Sequence, residues 1–490
     1  MTQPWEIENF LEIKDNQLRI NGVSAVDLAH EYGTPLFVFS ESRIRHNIAR
    51  LQKTQDVIGC PLKICYAAKA MSTMAMLRTI RDAGIDIEVN SGGELWKALK
   101  IGFRGDQIIF NGTSKEVWEI ENAINAKIYA IQVDSLYELS LIEQTAKRLG
   151  KIANVSLRLV PEIETNTHSG LQTALLTSKF GMIPDEAFSA FHNYKDSPYL
   201  NLCGIHLHIG SQNPDGAVYS QAFAILFESL IRIANETGIK LKHINLGGGF
   251  PVNYLRDSAA HSTFLAEQHD MFSADFEPMD AIDVAWAAVK KAADASNASD
   301  LLAGITLLLE PGRSIISDAG ICLTTVRNKK ERPCNNGQRA IDNGQFRDSY
   351  SSLSIVNSQF SIESWLLTDA GFNILLSMET YKWYYQLISA EHAGEPHDFP
   401  YKLAGPLCDG GDVYFDIEGQ NRLPDHRLLP ENICPGEILA LLNCGAYSLA
   451  QASQYNGRFL PAVVLVRENG DAELVRKRES FDDLVDCDVW

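Results

Sequence analysis

The sequence holds no run of about 18 consecutive apolar residues, so an ordinary membrane-spanning helix is not expected. Its start, MTQPWEIENFLEIKDNQ, mixes acids with apolar residues and lacks a basic stretch followed by an apolar one, which argues against a secretory signal. CxxC pairs are absent too. The nine cysteines, at 60, 65, 203, 322, 334, 408, 434, 444 and 487, are scattered and have no histidine set beside them. Reduced cytoplasmic thiols are therefore expected, rather than disulfides or a metal site. Positive charge is scarce, with 43 Lys and Arg against 62 Asp and Glu and a formal net charge of −19. A surface of that sign repels nucleic acid and anionic membrane and attracts small cationic substrates.

What is present is enough chain for two cores, since 490 residues exceed the size at which single cores stop growing. Between residues 60 and 315, short apolar runs alternate with segments of helical periodicity. The runs are KICYAA (63–68), IDIEV (85–89), QIIF (107–110), IYAIQV (128–133), VSLRLV (155–160), LCGIHLHI (202–209), HINL (243–246) and ITLLL (305–309). Eight such units within about 250 residues predict a (β/α)8 TIM barrel, whose chemistry sits at the C-terminal strand ends. The residues there are unusually polar: Lys69, Glu88, Asn111, Asp134, Arg158, His208, the Gly247–Gly249 turn, and Glu310 with Gly312 and Arg313.

Beyond residue 320 the runs LTTV, SWLLTDAGF, EILALLNCGAY, PAVVLV and AELVRK predict a largely antiparallel β domain. The opening LRINGVSAVDLAHEYGTPLFVFS reads as strand-rich and as a partner of that domain. The expected division is 1–40, 41–320 and 321–490. Residues 255–280 and 328–350 read as insertions, the second polar, rich in Asn-Gly and solvent-exposed.

Several constellations carry chemistry. Lys69 follows an apolar strand directly, where partial burial would depress its pKa and leave a nucleophilic amine; taken alone, a lysine snorkelling at the barrel rim is the commoner case. His206 and His208 lie on one side of a strand, with His208 nearer the rim, where a flat imidazole stacks on a planar group or simply fills the core. Gly247-Gly248-Gly249 and Glu310-Pro311-Gly312-Arg313 follow strands seven and eight, the corner where barrels commonly bind phosphate. A carboxylate such as Glu310 beside a pyridine nitrogen would keep it protonated. In the second domain, Gly405-Pro406-Leu407-Cys408-Asp409-Gly410-Gly411-Asp412 sets a thiol beside acids, which suits a proton donor next to an ammonium-binding carboxylate or a polar turn around a buried cysteine. Tyr447 in Gly445-Ala446-Tyr447 is either a phosphate-binding phenol or a core tyrosine.

Taken together, YAAKA, NSGGE, HLHIGSQ, NLGGGFP, EPGRS, TDAG, GPLCDGGD and GAY, in that order, resemble the fold-type III pyridoxal-phosphate decarboxylases, the group of diaminopimelate, ornithine and arginine decarboxylases. The resemblance covers nearly the whole chain. It implies an alanine racemase-like barrel and pyridoxal 5'-phosphate as cofactor. Lys69 would bind that cofactor covalently, His208 would stack on its ring, and Glu310 would pair with the pyridine nitrogen. Ser211, Gly249, Gly312 and Tyr447 would surround the phosphate, with Glu88, Gly248 and Arg313 completing the cofactor set. Cys408 would be the proton donor, and Arg313, Asp369, Ser377, Asp409 and Tyr447 would meet the substrate. The resemblance further implies a head-to-tail homodimer in which Cys408 and Asp409 act in trans.

Departures from the diaminopimelate pattern bear on the substrate. Where that family reads D-A-G-x-N-D-x-x-R-P-x-x-Y and uses the arginine for a distal carboxylate, this chain has Asp369-Ala370-Gly371-Phe372-Asn373 followed by ILLSMETY, with Ser377 at the arginine position. The family's CES is CDG here. FNGTSKE, VDSLYEL, GGGFPVNY, KLAGPLCDGGD and SFDDLVDCDVW look most like the D-ornithine/D-lysine decarboxylase branch, while Lys179-Phe180-Gly181 and Ile209-Gly210-Ser211 keep the diaminopimelate form. The expected reaction is decarboxylation of D-lysine or D-ornithine to a diamine and CO2. The alternatives are meso-diaminopimelate decarboxylation to L-lysine, amino-acid racemization, and a non-catalytic regulator of the same fold.

Overall fold

The computed structural model describes residues 3–165, 169–172, 174–255, 271–274, 276–334, 361–420 and 422–489. The chain opens with a small antiparallel sheet, β1 (Leu11–Lys14), β2 (Gln17–Ile20) and β3 (Val23–Ser24), followed by β4 (Leu36–Ser40). Each of the eight apolar runs then forms a strand: β5 (Leu62–Ala67), β6 (Asp86–Val89), β7 (Ile108–Phe110), β8 (Ala130–Val133), β9 (Ala153–Arg158), β10 (Leu200–His206), β11 (His243–Asn245) and β12 (Thr306–Leu309). They pair in parallel and close on themselves, β12 joining β5, to give the expected TIM barrel.

Period-two alternation decides which side chains enter the lumen. On β5, Ile64 and Tyr66 pack into the core beneath the helices, whereas Cys65 belongs to a separate small cluster and Ala67 lines the cavity at the barrel mouth. On β12, Leu307 and Leu309 face the helices, Leu308 faces the lumen, and Glu310 continues that lumen face to the rim. The intervening helices have local start and stop signals. Ser91 and Ser135 accept from the backbone N–H groups of Glu94 and Glu138, and Gly102 and Gly150 end those helices in the left-handed conformation.

The second domain is a mostly antiparallel sheet built on β13 (Gly320–Cys334) and β14 (Ser361–Thr368), with β15 (Leu387–Ser389), β16 (Phe399–Ala404), β17 (Arg427–Leu429), β18 (Ile438–Leu441), β19 (Ala462–Val466) and β20 (Ala472–Arg476). β4, from the start of the chain, lies between β13 and β19. A second core joins the two ends of the sequence, with Trp5, Phe10, Leu18 and Val38 packed among Ile321, Ile388, Ala440 and Val464.

Three local expectations need correction. Within the opening read as strand-rich, Ala25–Tyr32 is a helix, capped by Ser24 and burying Ala25, Val26, Leu28 and Ala29 at helical spacing. Residues 328–334, expected in an exposed insertion, extend β13 and pair with β14; 335–360 lie outside the described residues. Residues 278–280, expected in the other insertion, open the helix Pro278–Ala295, whereas 256–270 and 275 lie outside the described residues. The helix Ala217–Thr237 is long and apolar enough to cross a membrane by length and composition, but half of its most apolar window is buried inside the protein.

Candidate active site

The C-terminal strand ends surround a cavity lined by Lys69, Glu88, His208, Ser211, Gly249, Glu310, Gly312, Arg313 and Tyr447, together with Ala67, Phe250 and Ser314. Lys69 sits on a single 3-10 turn after β5, ringed by protein yet reached by solvent through the cavity. Its pKa is not depressed as burial alone would have it. Burial pulls it down, but Glu88, Tyr447 and Glu310 more than offset that pull and hold it above the ordinary lysine value.

The two carboxylates are driven apart. Burial, with Glu310 nearby, pushes Glu88 up to about 7 despite the opposing Lys69. Glu310 is buried as well, but His206, Asn245 and His208 outweigh the burial and bring it down to about 2. Its oxygens accept from Asn245 Nδ2 at 2.7 Å and from Asn111 Nδ2 at 3.0 Å, and His206 Nε2 stands 3.4 Å away. The same Asn111 Nδ2 donates to Glu88 Oε1 at 2.8 Å, so one amide bridges the pair. Glu88 therefore exchanges its proton near neutrality, while Glu310 stays ionised.

His208 accepts at Nδ1 from the Gly248 N–H at 3.2 Å, and burial, helped by Lys69 and Arg158, holds it well below the ordinary histidine value. It is a neutral, flat ring at the cavity wall. Gly249 has φ +100°, and a Cβ there would meet Asn213 Nδ2 at 2.6 Å and the Gly210 carbonyl at 2.7 Å, so the turn admits no side chain. Arg313 is buried, donating from Nε to Ser211 Oγ at 3.2 Å and from Nη1 to the Tyr254 hydroxyl at 3.0 Å. Its guanidinium lies 4.4 Å from the Trp383 ring and 4.9 Å from the Tyr447 ring. Tyr447 is half-buried at the cavity edge, with φ +57° and its N–H on the Ala70 carbonyl.

Four expected residues lie elsewhere. Cys408 and Asp409 are exposed on the second-domain loop, so the cysteine is not a buried one. The Cys408 N–H donates to Asn456 Oδ1 at 2.6 Å, and Asp409 accepts from the Tyr455 hydroxyl at 3.1 Å. Ser377 is buried and bonded to Gln451 Oε1 at 3.3 Å. Asp369, expected to meet substrate, lies outside this cavity. It accepts from Thr34, Thr324, the Thr325 N–H and, through two nitrogens, Arg327.

Sequence reasoning did not place Asn245 or His206 against Glu310. The usable signal was strand parity, since both face the lumen from strands adjacent to one another, ending beside Glu310. Asp134 and Arg158, named as polar strand ends, stand 4.0 Å apart, with Arg158 over the Phe180 ring.

Comparison with known proteins gives these groups a context. A family model described as "Pyridoxal-dependent decarboxylase, pyridoxal binding domain" matches residues 42–317. The chain is 32% identical over 478 residues to the diaminopimelate decarboxylase of Bacillus subtilis, covering 96% of this chain and 95% of that protein. It is 31% identical over 485 residues to that of Methanocaldococcus jannaschii, covering 98% and 96%. The crystal structure of the M. jannaschii enzyme in complex with L-lysine matches with a TM-score of 0.81 at 29% identity, covering 100% of this chain and 99% of that one. These relatives are diaminopimelate decarboxylases, not members of the D-ornithine/D-lysine branch expected from FNGTSKE and KLAGPLCDGGD.

The donor set fits pyridoxal phosphate: an amine for its aldehyde, an ionised carboxylate for a protonated ring nitrogen, a neutral imidazole for the ring face, and glycine turns with Ser211 for phosphate. By the extent of the family match and of the relatives' coverage, the chain belongs to the pyridoxal-dependent decarboxylases and is a pyridoxal-phosphate-dependent amino-acid decarboxylase.

Proposed function

We propose that the chain removes the α-carboxylate of a diamino acid, and that Lys69, His208, Glu310 and Cys408 carry the reaction. The observation behind this reading is the Lys69 amine sharing one cavity with a Glu310 carboxylate held at about 2. Bound pyridoxal phosphate supplies an electron sink for the pair left by the departing carboxylate. Lys69 holds it covalently, His208 packs on its face, and Glu310 keeps its ring nitrogen charged. Ser211, Gly248, Gly249, Gly312 and Tyr447 receive the phosphate, with Arg313 fixing Ser211 and Tyr447 in place. Glu88, raised to about 7, is the carboxyl whose charge acts most strongly on the Lys69 amine.

Cys408 returns a proton to the substrate carbon and Asp409 receives the distal ammonium. Both are exposed outside their own chain's cavity, which supports a head-to-tail homodimer in which each loop enters the partner's site. The named relatives favour meso-diaminopimelate as the diamino acid, giving L-lysine. A second reading, D-lysine or D-ornithine, is favoured by Ser377, which puts a buried hydroxyl bonded to Gln451 where the family's arginine holds a distal carboxylate.

Incubating purified protein with meso-diaminopimelate, D-lysine and D-ornithine and measuring CO2 decides between them. Turnover of diaminopimelate alone removes the second reading, and turnover of the D-amino acids alone removes the first. Inversion of configuration without CO2 would replace both with racemization.

A further inference from the structure

Below the cavity, the barrel lumen is divided, with Cys65, Ile109, Ala130 and Leu308 in an apolar cluster and a run of polar side chains where packed barrels usually carry branched apolar ones. Strand register places Gln132, Ser156, Gly204, His243 and Thr306 in one row of neighbours that winds across β8 to β12. Among the described residues, both amide atoms of Gln132, the Ser156 hydroxyl, His206 Nδ1 and both ring nitrogens of His243 are buried without a hydrogen-bond partner. Dry, unpaired atoms of this kind are costly, and native proteins keep few of them. Their concentration on one axis, in a polar enclosure, is the condition under which ordered water is retained.

The polar groups also follow one another from the cavity towards the opposite rim. His206 Nε2 is 3.4 Å from Glu310 Oε2. His206 is close enough to His243 to disfavour a charge on it. The His243 ring crosses Gly204, which has no side chain to obstruct it, and meets the Tyr129 ring at 5.2 Å between centroids. Lys63 Nζ lies 4.8 Å from the Tyr129 ring and pairs with Asp86. Lys63, Asp86 and Tyr129 are all half-buried, so the line ends where solvent reaches the opposite rim.

We propose that ordered water fills the barrel axis and, with His206 and His243, forms a proton path from Glu310 to solvent at Lys63, Asp86 and Tyr129. The path keeps the proton facing Glu310 in exchange with bulk water while substrate and a partner loop cover the mouth. Each imidazole accepts at one nitrogen and donates from the other, so the path carries protons without net gain or loss and no electrons move. Its role rests on Glu310 as the ring-nitrogen partner, but its existence does not.

A high-resolution crystal structure of the holoenzyme tests it first. Waters within hydrogen-bond distance of His243, Gln132 and Ser156 are expected, and a dry axis overturns the proposal whatever Glu310 does. A stopped-flow pH jump, followed by cofactor absorbance, tests transport. His243→Leu and the near-isosteric Gln132→Leu should each slow the relaxation by about tenfold at unchanged amplitude, with His243→Gln restoring part of the rate. Wild-type rates in both leucine variants overturn the path. Since Gln132→Leu alters shape little, it carries this arm if His243→Leu fails to fold.

Discussion

Asn245 Nδ2 donates to Glu310 Oε1 at 2.7 Å, tying the ends of two adjacent barrel strands together at the cavity. Removing this donor in Asn245→Ala costs a hydrogen bond to a charged group, about 1.5–3 kcal/mol. Glu310 then moves up from about 2 towards the ordinary 4.5. A depressed carboxyl contributes stability above its unfolded pKa and loses it as pH falls through its folded one. The acid limb of kcat/KM should therefore shift to higher pH, and the acid-linked loss of apoprotein stability below about 4.5 should be smaller than in wild type and complete at a higher pH. Rate profiles and denaturant melts across pH 2–5 check both.

Glu88 behaves in the opposite sense. Its pKa is raised from 4.5 to about 7, chiefly by burial, so the folded apoprotein binds a proton that the unfolded chain releases. That contribution is present below about 4.5 and fades as pH rises to about 7. Glu88→Gln removes the slope. The stability difference between variant and wild type should move in the variant's favour across this window, as read by urea unfolding of apoprotein.

Asp412 anchors the cysteine loop to the turn after β14, accepting from the Leu407 N–H at 2.8 Å and the Phe372 N–H at 2.9 Å. A Cβ on Gly371 would meet its oxygen at 2.7 Å, so the loop closes tightly on the carboxylate. Asp412→Ala strands two backbone donors, at about 1–3 kcal/mol each. Thermal melting should show the loss, and kcat should fall more than cofactor affinity, because the cavity lies elsewhere.

If sites are shared between copies, Lys69→Ala and Cys408→Ala are each inactive for different reasons. Random reassociation of the two would leave one intact site in each mixed dimer and restore about a quarter of wild-type activity. Separate dialysis and remixing after mild denaturation reads this directly. No recovery in mixed dimers, shown by differential tags, would place Cys408 in its own chain's site.

The barrel was legible because its signals are local. Apolar runs of four to eight residues, the Ser and Gly caps, and the glycine turns are written within single segments, and period-two alternation then sets Lys69, His208 and Glu310 at one rim. The helix at Ala25–Tyr32 is hard to see in the sequence because it is only two turns long and lies between the apolar runs of β2 and β4, with Ser24 marking its start.

The amino-acid sequence by itself determined the strands, their facing and the family motifs, since each depends on neighbours a few residues away. Tertiary structure alone decided what those residues experience. Lys69 is raised, not depressed, because Glu88 arrives from the adjacent strand. Glu310 is held by Asn111, from 199 residues earlier, and Asp369 is bonded by Thr34, from 335 residues earlier. Charge and hydrogen bonding act through space at a few ångströms, and no single segment's pattern encodes which distant strand will stand beside it.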